Sequence, residues 1–255
     1  MSSTSILLLF AFVNVVVTAL FAGVVLRQYM RRGRPSQLYW SIALIMAFLA
    51  TLAYVFMVIA GPTSSAGIAL FRIYYILGAA LVSAWLGLGS IALVASPRVT
   101  RISLIVLSVL SIVAIVLIAT SPINLSNLSK IAGTPGTGIL ESTAALVTII
   151  VLNTLGVLAV SGVAVYSGWK LARRQSSVAG IQTINLLWAN VLILAGDLLN
   201  AAAGSFARFF GLQSSFWIIQ AFGWTVFFAG VLLASRRPAT ARQVAPGEKR
   251  VPARG

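Results

Sequence analysis

The sequence predicts an all-α integral membrane protein, a seven-transmembrane-helix bundle with its N-terminus outside and its C-terminus cytoplasmic. Three observations predict it: the composition, the number of long apolar runs, and the side on which the basic residues fall. Of 255 residues, 60% are hydrophobic and only 8% charged, and the mean hydropathy is +1.03. Soluble domains are about 45–50% apolar and about 25% charged, so a chain this poor in charge needs lipid as its solvent.

A hydrocarbon core of about 30 Å takes roughly 20 residues of helix. Seven runs fit that length: Ile6–Leu26, Leu38–Ala60, Ala69–Ala95, Ile102–Thr120, Thr143–Ser167, Ile181–Ala203 and Phe216–Ala234. The first is not a signal peptide by pattern, because no positive charge precedes it and its arginines follow it. Arg27, Arg31, Arg32 and Arg34 follow the first run, Arg98 and Arg101 the third, and Lys170, Arg173 and Arg174 the fifth. Arg236, Arg237, Arg242, Lys249, Arg250 and Arg254 follow the seventh. These lie on one side and only Arg72, Lys130 and Arg208 on the other, and cytoplasmic loops are the ones that carry excess Lys and Arg.

That reading divides the chain into a transmembrane domain, 1–235, and a basic tail, 236–255, expected to be disordered. It also accounts for the net charge of +15 without nucleic acid: the basic loops are expected to meet anionic headgroups at the cytoplasmic face. The longest outer loop, Ser121–Ser142, is expected to form a mobile cap.

Composition removes most chemistry. There is no Cys and no His, and only three acids, so zinc and haem sites, thiol catalysis and imidazole catalysis all lack their groups. Lys130, Lys170 and Lys249 lie outside the seven runs, so no lysine is placed to hold retinal as a Schiff base. No enzyme activity and no cofactor are expected.

Ionisable groups kept within the hydrocarbon usually face the bundle interior and have a role. Asp197 is the one deep acid, about 9 Å below the expected outer end of the sixth helix at 1.5 Å per residue. At 100° per residue Thr183, Asn190 and Asp197 share a face, continued by Gly204 and flanked by Asn200. On the third helix Arg72 lies near the outer end, with Tyr75, Ala79, Ser83 and Ser90 near its face. An Arg72–Asp197 pair is therefore expected, with Glu141 and Arg208 at the same level. The candidate ligand- or proton-binding residues are Asp197, Arg72, Asn200, Glu141, Tyr75 and Asn190, and no metal or catalytic residue is expected. The competing reading makes the same groups helix-to-helix glue. The ladder of Ala80, Ser83, Ala84 and Gly87 is read as close helix packing, and Tyr39, Trp40, Trp169 and Trp217 as an interfacial aromatic belt.

The second and third runs also carry a resemblance. Tyr39-Trp40, Leu52-Ala53-Tyr54, Phe71-Arg72-Ile73-Tyr74-Tyr75-Ile76-Leu77-Gly78 and Ala84-Trp85-Leu86 resemble the seven-helix N-terminal sensory region of bacterial histidine kinases, with Ala84 in place of a proline. The resemblance implies an outward-facing, ligand-receiving bundle in a bacterial plasma membrane. No effector follows the seventh run, so a separate signalling or assembly partner is expected, and homo-oligomerisation stays open. The function expected is a non-enzymatic receptor or sensor with an outer polar cavity around Arg72 and Asp197. A small proton- or cation-coupled carrier and a structural subunit of a membrane complex are the alternatives.

Overall fold

The computed structural model describes residues 3–174 and 181–235. The tail expected to be disordered, 236–255, lies outside the described residues, as does the side chain of Thr183. Seven helices are long and apolar enough to cross a membrane. They are α1 (Ser3–Arg32), α2 (Pro35–Ala60), α3 (Ser65–Val94), α4 (Pro97–Thr120), α5 (Thr143–Arg174), α6 (Ile181–Phe209) and α7 (Phe216–Ser235). Among the described residues there is no strand, only an antiparallel bridge between Ile123 and Leu140.

Several helices outrun their apolar cores, because polar residues continue a helix into the interface until a breaker stops it. Pro35 and Pro97 open α2 and α4 at positions whose N–H groups would lack partners in any case. Ser64 and Ser96 cap α3 and α4, accepting from the N–H groups of Gly67 (3.0 Å) and Val99 (3.4 Å). Helix α6 meets no breaker until Gly211, whose φ of 70° ends it. It therefore runs six residues beyond its expected end at Ala203.

Helix α1 packs on α2 and α7, α2 on α3, α3 on α5, α5 on α6, and α6 on α7. These six close a ring, and α4 lies outside it against α3 and α5. The position of α4 suits its surface: Ile102, Ile105, Val109, Ile112 and Val116 are all exposed, a face that suits lipid. Small residues set the closest approaches, as lipid-embedded helices require. A Cβ on Gly156 of α5 would overlap the backbone of Ser83 on α3, and a Cβ on Gly87 would come within 3.0 Å of the Gly156 Cα. This is the close packing expected of the small-residue ladder. Gly196, Gly223 and Gly230 do the same for α6 and α7, against Phe227, Asn200 and Ile193.

One departure from regular helix shapes the interior. Tyr75–Leu81 of α3 is π-helical, and the Val82 N–H reaches back five residues to the Leu77 carbonyl. Asn153 of α5 donates its Nδ2 to the Ala79 carbonyl within that segment and to its own Ile149 carbonyl (3.0 Å). The wider turn slides everything after Tyr75 around the helix relative to everything before it.

Candidate functional site

A cavity of about 390 Å³ occupies the centre of the ring, between α2, α3, α5, α6 and α7. Ala47 of α2, Leu86 of α3 and Trp224 and Phe227 of α7 close its deep end. Aromatic side chains form much of the wall above, with Tyr74, Tyr75, Phe216 and Trp217 all lining it. Tyr74 and Trp217 lie with ring centroids 6.1 Å apart, and Tyr54 sits behind both at 5.1 and 4.5 Å.

The outer loop forms the roof and is tied down rather than mobile. Tyr54 Oη donates to the Ile131 carbonyl (3.0 Å) and accepts from the Gly133 N–H (2.9 Å). Tyr74 Oη donates to the Pro135 carbonyl (3.2 Å), and Tyr75 Oη to the Gly136 carbonyl (2.6 Å). Leu128, Ile131, Ile139 and Leu140 of the same loop are buried in the core. Three phenols thus satisfy backbone groups that would otherwise be stranded in an apolar setting. Pro135 and Thr137 face the cavity from above.

The polar groups come mainly from α6 and α7. Asp197 is buried and lines the cavity at its deep end. Its Oδ2 accepts a hydrogen bond from Ser161 Oγ of α5 at 2.7 Å, and its Oδ1 has no partner among the described residues. Because α6 extends to Phe209, Asp197 is twelve residues from the outer end, about 18 Å down rather than 9 Å. Asn200 and Gln220 line the same cavity, and the oxygen of each carboxamide is buried without a partner. Ala201, Gly204, Ser205 and Arg208 continue the α6 wall outward.

The structure therefore brings together Asp197, Asn200 and Tyr75 from the sequence-derived set, and sets three residues aside. Arg72 does not pair with Asp197. Its Nη2 donates to the Ser121 carbonyl at the end of α4 (3.2 Å), and it is absent from the cavity lining. Two physical reasons account for this. Arg72 is seven residues into α3, about 10 Å down, well above Asp197. The π segment also breaks the constant 100° step that placed Arg72 on one face with Ala79 and Ser83.

Glu141 is exposed in the outer loop, and its N–H bonds the Pro122 carbonyl (3.2 Å). Asn190 lies below the cavity, where α6 touches α5 near Gly168, and its Nδ2 bonds the Leu186 carbonyl of its own helix (2.8 Å). Trp217 and Trp40 are not belt residues either. Trp217 is 2% exposed, and Trp40 donates its Nε1 to the Leu86 carbonyl (3.1 Å) while covering Gly89. Trp169 is exposed with Arg173 over its ring, as a belt residue would be.

Ser161, the only hydrogen-bond donor to Asp197 among the described residues, carries no signal in the sequence, because serine on a helix usually bonds its own backbone. No protein family, curated protein or solved structure matches this chain.

Proposed function

We propose that this chain is a non-enzymatic, receptor-like module of a multi-pass membrane protein. It receives a ligand in the central cavity and passes the occupied state to the basic end of α5. The observation that carries the reading is the cavity itself, a roofed, aromatic-walled space with one carboxylate at its deep end. Its volume falls in the range of small-molecule sites, and few convergent polar groups in a mainly apolar pocket is the usual pattern of such sites. The resemblance to bacterial sensory regions supports the same reading, since Tyr74, Tyr75 and Gly78 of the resembling segment line the cavity.

The Ser161–Asp197 bond gives the reading a mechanism. It joins α5 to α6 at the foot of the cavity, and a ligand that takes the Asp197 carboxylate competes with the Ser161 hydroxyl. Differential binding to a state in which this bond is broken shifts α6 against α5. Helix α5 carries Lys170 and Arg173 near its end, where anionic lipid or a separate signalling partner would read the change.

Native mass spectrometry of the chain released from its own membranes tests the reading. A small-molecule adduct is expected on the wild type and is expected to be lost in Asp197→Ala. Absence of any adduct, with wild type and variant alike in melting, overturns it. A carrier is the second reading, favoured by the depth of Asp197 and its single hydrogen bond. Solute or proton uptake into proteoliposomes would decide for the carrier, because a receptor moves nothing.

A further inference from the structure

The open side of the cavity indicates what enters it. Helices α5 and α6 touch below the cavity, at Gly168 and Asn190 and at Ser161 and Asp197. Above Asp197 several of their cavity-lining residues are exposed: Thr154 and Leu158 on α5, and Gly204 and Ser205 on α6. No lining residue of α2, α3 or α7 is exposed: Thr51, Val82 and Trp224 are buried, and Ser83 and Gln220 half-buried. The roof closes the top, so the gap is lateral and lies in the half of the bilayer away from the basic loops.

Charge selects among molecules that reach the cavity this way. Asp197 is the only acid in the lining, its Oδ1 is unpartnered, and no cation among the described residues pairs with it. The one cationic lining residue, Arg208, is eleven residues further out on α6, about 16 Å along the helix. A carboxylate in so apolar a setting gains most from a ligand that brings a positive charge and N–H donors. Asn200 and Gln220 beside it can each turn a carboxamide oxygen toward the same head, and the aromatic wall favours a cation as well as an apolar body.

We propose, resting on the receptor reading, that the ligand is a membrane-partitioned amphiphilic amine. It passes between α5 and α6 and seats its ammonium head on Asp197.

Three probes of equal chain length test this in nanodiscs: a dansyl-tailed alkylamine, the matching carboxylate and the matching alcohol. Energy transfer from the cavity tryptophans Trp217 and Trp224 to dansyl is read against empty nanodiscs. The amine is expected to give saturable transfer, with the carboxylate and the alcohol at least tenfold weaker. Asp197→Asn is expected to weaken the amine at least tenfold. Gly204→Phe is expected to do the same by narrowing the gap; an added Cβ at Gly204 meets nothing within 4 Å, and a wild-type melting profile checks that the variant folds.

Saturable binding that ignores charge, or that survives Asp197→Asn unchanged, overturns the amine while leaving the receptor reading standing. No saturable transfer from any probe, together with no native adduct, overturns both. Spontaneous Leu158→Cys disulfide dimers in wild-type-like yield would show a second copy closing the gap, and would also overturn the proposal.

Discussion

Ser161 Oγ donates to Asp197 Oδ2 at 2.7 Å, and this bond joins two helices at the foot of a cavity whose other walls are mostly apolar and aromatic. A double-mutant cycle on Ser161→Ala and Asp197→Asn measures it. Interhelical hydrogen bonds in membranes average about 0.6 kcal/mol and reach about 1.7 kcal/mol. A coupling near the upper value is expected because one partner is a buried acid. A coupling of zero, from unfolding equilibria in mixed micelles, would remove the bond from the mechanism.

Glycines on the bundle separate packing from space. Gly156→Leu places atoms where the Ser83 backbone runs, so α3 and α5 must part. Overpacking of this kind costs about 1–3 kcal/mol, and more where backbone is the obstacle. Gly204→Ala meets nothing within 4 Å and lies within α6, where alanine is the better helix former by roughly 0.8–1 kcal/mol. Melting in detergent is expected to fall sharply for the first and to hold or rise for the second.

The tyrosine ties hold the roof. Tyr75→Phe removes one hydrogen bond to the loop and Tyr54→Phe removes two. At about 1 kcal/mol net per bond, opening of the loop is expected to rise roughly fivefold in the first variant and more in the second. Trypsin cleavage after the exposed Lys130 reads this directly. Equal cleavage rates in wild type and both variants would mean that the phenols do not hold the loop.

The absence of cysteine makes topology directly measurable. Lys130→Cys is expected to react with a membrane-impermeant maleimide on intact cells, and Arg31→Cys or Arg98→Cys only after permeabilisation. Both of the latter positions lie on the side carrying most of the arginines, which the positive-inside bias makes cytoplasmic. Labelling in the opposite order would invert the bundle and place the cavity gap in the inner leaflet.

Composition and apolar run length by themselves determined that the chain is a seven-helix membrane bundle, because lipid admits only segments that satisfy their own backbone and present apolar surface. Asp197 was legible for the same reason, since an acid among apolar residues stands out in any single run of sequence. Its neighbours were decided only by the tertiary structure. The Arg72–Asp197 pairing assumed an unbroken 100° step along α3 and an α6 that ended at Ala203. The π segment at Tyr75–Leu81 broke the first assumption, and the extension to Phe209 broke the second. Ser161 and the tyrosine ties join residues 36 to 79 positions apart. Such pairings depend on how the helices are turned and slid against one another, and close contacts such as Gly156 on Ser83 fix that turning without leaving a periodic trace in the chain.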